Sequence, residues 1–341
     1  MKVGYVYDPI YLEHDTGDHP ERKERLLAIL TRLKEEGLWE RLVPLQAQEA
    51  PLEDLARIHQ RVLIDRVRRL AEHGGGYLDA DTPLGARSFQ VARWAAGGAI
   101  AATRAVLSGQ VQSAYALVRP PGHHATPSRS MGFCLFNNVA VAAGWALNQG
   151  GLSRVAIIDF DVHHGNGTQE AFETDPRVLY VSTHQYPFYP GTGHWQDWGK
   201  GLGEGTCLNI PLPAYTGDEG YKGAYERLVF PKVRMFHPEL ILVSAGYDAH
   251  WADPLAWMLL SFEGYRFIIE GIRSLAEELC AGRLVFVLEG GYDLQVLSYG
   301  VSLTFAILLG LPYADPLGPA GRRESPVGDL LEQIARWHGL P

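Results

Sequence analysis

The sequence predicts an α/β domain built on a parallel sheet, and three observations carry that prediction. Six short runs, at 3–7, 113–118, 154–160, 178–182, 240–244 and 284–288, are nearly continuous in apolar residues, most of them β-branched, and end close to Gly, Pro, Asp or His. Strands that are apolar on both faces belong in a sheet covered on both sides, which is the habit of parallel pairing. Helical patterns alternate with them at 20–36, 52–72, 88–107, 138–148, 218–236, 262–280 and 298–309, and this alternation is what an α/β fold requires. No internal repeat, low-complexity tract or long polar linker divides the 341 residues, so one domain suffices. Residues 312–326 are rich in Pro, Gly and Arg and read as a surface crossing before a short last helix, giving a core of about 1–310 and an extension of about 311–341.

Composition narrows the function. Apolar residues make up 46% and charged residues 20%, so a large core is expected rather than disorder. The 38 glycines and 21 prolines suit elaborate loops, where function tends to reside. A net charge of −9 argues against free nucleic acid as a partner; it is compatible with a cationic substrate, but solubility is the better explanation. Cys134, Cys207 and Cys280 form no C-x-x-C pair, which excludes a thiolate zinc site and a disulfide framework and suits a reducing cytoplasm. No apolar run has the length of a signal peptide or a bilayer span, so no membrane partner is expected. A homo-oligomer is compatible with the chain.

The most informative segment is 155–167. A buried strand runs directly into Asp159, Asp161 and His163 at alternate positions. Period-two geometry puts all three on one side. Beside an apolar core each would cost several kcal/mol if unpaired, and a bound cation removes that cost. Carboxylate oxygen and imidazole nitrogen suit zinc, and also iron(II) or manganese. A third ligand is expected from the strand at 240–244, which leads to Asp248 and then Asp253; spacing alone does not choose between them. Three protein ligands leave a coordination position open, as catalysis needs.

Two further strand ends carry acid–base groups. After 113–118 comes Arg119-Pro120-Pro121-Gly122-His123-His124, where adjacent histidines can aim at one point. A neutral imidazole can take a proton from water, and a protonated one can donate to a leaving amine. After 284–288 comes Glu289-Gly290-Gly291-Tyr292, where two glycines permit close backbone approach and Tyr292 can offer its phenol to an oxyanion.

Together these motifs resemble the histone deacetylase and acetylpolyamine amidohydrolase superfamily, in its class II-like bacterial form. The matching stretches also include Glu13-His14-Asp15-Thr16-Gly17 with His19-Pro20-Glu21-Arg22, Gly132-Phe133-Cys134-Leu135-Phe136-Asn137-Asn138, Tyr189-Pro190-Gly191-Thr192-Gly193 and Asn209-Ile210-Pro211-Leu212. They run in family order to about Leu309. The resemblance implies a single-domain, arginase-like fold with a central eight-stranded parallel sheet. It implies a zinc-dependent amidohydrolase that removes acetyl or other acyl groups from an amine nitrogen, most simply acetyl-lysine; an acetylpolyamine deacetylase and a non-catalytic acyl-lysine-binding module are the alternatives. An arginase-like ureohydrolase would want a carboxylate two residues after His163, where Gly165 stands.

By matched position the resemblance makes Asp161, His163 and Asp253 the zinc ligands and His124 the general base. His123 becomes its electrostatic partner oriented by Asp159, and Tyr292 the oxyanion donor. Gly132 resembles the residue whose carbonyl accepts the substrate N–H. Phe133 and Tyr189 resemble the channel walls, with Tyr189 standing where the family more often has Phe. Gly290 and Gly291 line the substrate site, Asp81 resembles a rim carboxylate, and Arg25 the base of an internal acetate pocket. Asn166 stands where class I enzymes have Asp, so His124 gains an orienting partner without a negative charge. The family also implies a structural potassium held by Asp159, Asp161, His163, Ser182 and Thr183, and a second by Phe172, Asp175, Val178 and Tyr221. His14, His19, His59, His184 and His250 carry no assigned chemistry.

Overall fold

The computed structural model describes residues 2–341. Strands β1 (Val3–Val6), β2 (Val43–Leu45), β3 (Gly75–Tyr77), β4 (Pro83–Gly85), β5 (Ser113–Ala116), β6 (Val155–Asp159), β7 (Val178–Gln185), β8 (Cys207–Leu212), β9 (Leu240–Ala245) and β10 (Leu284–Leu288) alternate with helices. The helices are α1 (Glu24–Glu35), α2 (Leu52–Leu55), α3 (Arg61–Glu72), α4 (Ser88–Leu107), α5 (Asn138–Asn148), α6 (Asn166–Phe172), α7 (Asp218–Ala224), α8 (Phe230–Phe236), α9 (Phe262–Cys280), α10 (Leu294–Leu309) and α11 (Gly328–His338). Eight strands form one sheet in the order β2-β1-β5-β10-β9-β6-β7-β8, with every pairing parallel. β3 and β4 make a separate antiparallel hairpin. This is the single α/β domain with an eight-stranded parallel sheet that the motifs implied.

All six predicted strands are present, and the five from β5 to β10 that they include are buried along their whole length. Two sheet strands had no clear sequence signal. β2 has Pro44 at its centre and β8 contains Asn209 and Pro211. Both lie at sheet edges, where a residue without an N–H is tolerated. The pattern at 52–72 divides into α2 and α3, because His59 is drawn inward between them: its Nδ1 lies 2.9 Å from the Thr126 carbonyl and its Nε2 accepts from Asn137 N–H at 2.9 Å. The pattern at 218–236 is α7 and α8 joined through a widened π-type turn at Tyr225–Val229. Helix starts also shift: α1 begins at Glu24 rather than 20, and α10 at Leu294 rather than 298.

Parallel strands deliver all their carboxyl ends to one side, and that side holds the polar residues. Helix caps lock them there. Asn137 Oδ1 accepts from Ala140 N–H at 3.0 Å to start α5, and Asp293 Oδ1 accepts from Val296 N–H at 2.9 Å to start α10 directly after Tyr292. Among the described residues no helix is long and apolar enough to cross a membrane.

Close packing of α4 onto the sheet gives a test whose sign separates two effects. A Cβ on Gly97 would lie 1.7 Å from the Gln48 carbonyl oxygen and 2.8 Å from Ala50 N. Helix propensity alone would make Gly97→Ala stabilising by about 1 kcal/mol. Overpacking should win, lowering stability by about 1–3 kcal/mol in urea unfolding.

Candidate active site

The carboxyl ends of β6, β9 and β10 meet in a buried acidic pocket. Asp161 N–H donates to Asp159 Oδ1 at 3.1 Å, which turns the chain tightly after β6 and projects Asp161 and His163. Asp161 Oδ1 accepts from His163 N–H at 2.9 Å, and Oδ2 accepts from Gly290 N–H at 2.8 Å. A Cβ on Gly246 would lie 2.1 Å from Asp161 Oδ2, and one on Gly290 would lie 2.2 Å from Asp248 Oδ2. Only glycine lets these two strand ends close on the carboxylates.

Asp161, His163 and Asp248 bring ligand atoms within 4.8 Å of one another. Asp248 Oδ1 accepts from Val162 N–H at 3.0 Å, while its Oδ2 makes no hydrogen bond and lies 3.2 Å from His163 Nδ1. Asp253 lies outside this tight group. Its Oδ2 accepts from Tyr292 N–H at 2.7 Å and Asp293 N–H at 3.1 Å, and its Oδ1 from Leu255 N–H at 3.0 Å. Burial, and then the neighbouring Asp248, push the Asp253 carboxyl up to about 7. Excess negative charge, an orphaned carboxylate oxygen and an imidazole form a donor set that fits a divalent cation.

The two histidines carry opposite protonation. His123 Nδ1 faces Asp159 Oδ2 at 3.1 Å and its Nε2 lies 3.8 Å from Asp161 Oδ1. Burial opposes its charge, but Asp161 and Asp159 overcome this and raise it to about 10. His124 Nδ1 lies 2.9 Å from Asn166 Oδ1, an oxygen that only accepts, so Nδ1 carries the hydrogen and Nε2 keeps a free lone pair. Burial, then cationic His123 and His163, hold His124 well below the usual histidine range. Tyr292 is held protonated, because burial raises its phenol well above the usual value.

Aromatic rings frame the approach. Tyr189 stands edge-on to His124 at 5.1 Å, and Phe133 edge-on to Tyr292 at 5.7 Å. Gly132 and Phe133 both have positive φ, at 56° and 68°. A Cβ on Gly132 would lie 2.5 Å from the His124 ring and 2.9 Å from the Tyr189 hydroxyl. Gly132 N–H and Thr82 hydroxyl donate to the half-buried Asp81 carboxylate; burial, and then Asp81, raise the Tyr189 phenol. Arg25 is fully buried: it donates to the carbonyls of Glu289 and Gly291, and its guanidinium lies 5.2 Å from the Tyr292 ring centre.

Residues 19–308 match the histone deacetylase domain family. The chain belongs to the histone deacetylase family. It is 45% identical over 298 residues to a protein of Archaeoglobus fulgidus named a probable deacetylase, covering 86% of this chain and 82% of that one. It is 43% identical over 291 residues to the histone deacetylase-like amidohydrolase of Pseudomonas aeruginosa, covering 85% and 75%. The crystal structure of the HDA15 HD domain superposes with a TM-score of 0.89 at 35% identity, covering 99% of this chain and 94% of that chain.

Several residues of this deacetylase-family chain fall where spacing could not place them. Ser182 pairs in register with Asp159, but its hydroxyl is engaged by His184 Nδ1 at 2.9 Å, and Thr183 Oγ1 lies 3.4 Å from the Tyr225 hydroxyl. Phe172, Asp175 and Val178 share one turn at the amino end of β7, where Asp175 pairs with Arg177 at 2.7 Å. Tyr221 is fully buried, and its phenol, which has no hydrogen-bond partner, is raised by burial and by Tyr225, Asp248 and Asp161. His14, His59, His184 and His250 are buried, and His19 packs edge-on to Phe133 at 4.5 Å.

Sequence reasoning missed Glu289. It is fully buried and its Oε2 accepts from Gly122 N–H at 2.6 Å and His123 N–H at 3.1 Å, clamping the histidine loop to β10. The available signal was an acid at the end of an apolar strand. Glu21 was also unassigned. It takes Arg119 Nε at 2.6 Å and Nη2 at 2.7 Å, and Arg25 Nη1 at 3.2 Å.

Burial would raise the Glu21 carboxyl, but Arg119, His14 and Arg25 together hold it at about 2, below its ordinary 4.5. A depressed carboxyl stabilises the fold above its unfolded value and loses that contribution as pH falls toward the folded one, here roughly 3 kcal/mol in all. Urea unfolding at about pH 5 and pH 3 should therefore show a larger acid loss in the parent than in Glu21→Gln, by roughly 2 kcal/mol.

Proposed function

We propose that this deacetylase-family chain is a zinc-dependent hydrolase that cleaves the amide of acetyl-lysine, or of a closely related N-acyl amine. The observation that carries the reading is the convergence of two histidines and a phenol on the acidic pocket: His124 Nδ1 lies 2.9 Å from Asn166 Oδ1, which leaves its Nε2 free, His123 Nδ1 faces Asp159 Oδ2 at 3.1 Å, and Tyr292 is fixed through its N–H on Asp253 Oδ2 at 2.7 Å. That set can take a proton, stabilise negative charge and donate to an oxyanion within one site. Asp161 and His163 would hold the cation, with Asp253 as third ligand on family resemblance and Asp248 as the rival on donor spacing. A bound divalent cation supplies Lewis acidity and brings the pKa of a water toward neutrality.

The protein's own groups do the rest. His124 takes the proton of the attacking water at Nε2 and returns it to the amine nitrogen as the amide C–N bond breaks. Asn166 keeps the imidazole in the required tautomer. His123, steadied by Asp159, offsets negative charge as the C–O bond forms. Tyr292 donates to the tetrahedral oxyanion, the Gly132 carbonyl receives the substrate N–H, and Phe133 and Tyr189 guide the acyl-bearing stem. Gly290 and Gly291 admit the acyl group and Arg25 forms the floor beneath it, with Asp81 at the rim. Amine and carboxylate leave. Potassium sites at Asp159, Asp161, His163, Ser182 and Thr183, and at Phe172, Asp175, Val178 and Tyr221, belong to the same reading. So do one catalytic domain with an extension at 311–341, and a reducing cytoplasmic setting, which the three free, buried cysteines support. The acetylpolyamine alternative remains a comparison arm for the assay.

The reading is tested with acyl-lysine and acyl-polyamine substrates, with and without chelator. Activity should vanish on chelation and return with zinc; amine release that ignores the chelator would overturn it. Tyr292→Phe should retain metal and lose about 10²–10³ in turnover. Elemental analysis after dialysis separates the two acids. Asp253→Asn should lose metal while Asp248→Asn keeps it, and the reverse pattern would assign the ligand to Asp248.

A further inference from the structure

Among the described residues six aromatic side chains are exposed, and four of them, Tyr189, Tyr215, Trp251 and Trp257, stand on loops leaving the carboxyl ends of β7, β8 and β9. Single exposed apolar residues are ordinary, but Tyr189 contacts His124 and His163 and Trp257 reaches His163 through Phe188, so these two exposed rings adjoin the pocket. Trp257 is the most exposed tryptophan, at 60%. Its backbone is nevertheless fixed on both sides. Its N–H donates to Gln185 Oε1 at 2.9 Å, and its carbonyl accepts from Tyr215 N–H at 2.6 Å. The indole has one ring contact: it lies 5.6 Å from the Phe188 ring, which in turn stacks on His163 at 5.5 Å and 20°. His163 and Phe188 are half-buried, and Trp257 at the end of this ladder is exposed. The ring is thus largely open to water on a backbone pinned from both sides, and it stands only two ring contacts from a pocket histidine.

We infer that Trp257 is a specificity-determining residue, a platform for a planar or large apolar group carried beside the acyl-lysine of a peptide substrate. This rests on the deacylase reading and narrows its substrate class from N-acyl amines in general to peptide acyl-lysine with an aromatic neighbour. The occupant follows from chemistry. A flat side chain gains stacking and sheds water from both faces. A short acyl-diamine has no such group. Its distal ammonium would seek a carboxylate, and residues 255–260 supply none; Asp79 and Asp81 stand instead on the Tyr189 side. An ammonium can also sit over an indole, so the acyl-diamine is a necessary comparison.

The test uses the zinc-loaded full chain and three substrates: a minimally capped acetyl-lysine, the same residue followed by phenylalanine, and N-acetylputrescine. In the parent the phenylalanine-flanked substrate should have the highest kcat/KM. The ratio of kcat/KM for flanked over minimal substrate should fall about three- to tenfold in Trp257→Ala, through KM, and Trp257→Phe should restore part of it. An unchanged ratio, or acetylputrescine as the best substrate, overturns the platform while leaving the deacylase reading standing. No turnover of any of the three overturns that reading and the platform with it.

Discussion

Four aspartates and a glutamate, Asp159, Asp161, Asp248, Asp253 and Glu289, lie buried at the carboxyl ends of neighbouring strands. Like charges this close in low dielectric repel strongly, and the protein answers them only in part with His123 and His163. The imbalance dictates the rest of the site. It raises His123 against the effect of burial, and it adds to burial in lifting the Asp253 carboxyl toward neutrality; one oxygen of Asp248 makes no hydrogen bond. A pocket of this composition is costly as a piece of core and well suited to a cation.

The surrounding fold spends many of its peculiarities on containing that charge. Gly246 and Gly290 let backbone close where any side chain would strike a carboxylate. Backbone N–H groups of Val162, Gly290, Tyr292 and Gly122 each donate to one of these acids, so loops from four strand ends are tied to the same charges. Tyr292 is positioned twice, by Asp253 on its own N–H and by the α10 cap that follows it. Behind it, Glu21 with Arg25 and Arg119 forms a second buried ion cluster, which links the amino-terminal segment to the β10 loop through the carbonyls of Glu289 and Gly291.

Away from the acids, the same burial acts in the opposite sense. His124 has a neutral partner in Asn166 and two cationic neighbours, so it stays uncharged. Aromatic rings line the way out, from His124 and His163 past Tyr189 and Phe188 to Trp257. Most of the buried charge thus lies at the floor of the site, while rings line the approach beside the Asp81 carboxylate.

What the sequence determined by itself was whatever depends on near neighbours in the chain. Interior strands buried on both faces must be apolar throughout, so they were legible, as was the acidic segment at the end of β6; strand alternation stops at Asp159, however, and a bend held by Asp161 N–H on Asp159 Oδ1 is what projects Asp161 and His163. The edge strands β2 and β8 were not legible, because an edge tolerates proline and polar residues that an interior strand does not. Tertiary structure alone decided the rest. The break between α2 and α3 exists because His59 bonds Thr126 and Asn137, far away in sequence. The relation of Asp248 and Asp253 to the ligand group depends on how their loop folds back over β10, and the use of Glu289 depends on backbone N–H groups 166 and 167 residues earlier. Side-chain periodicity is local, whereas the pairing of buried charges is set by distances through space that no spacing along the chain encodes.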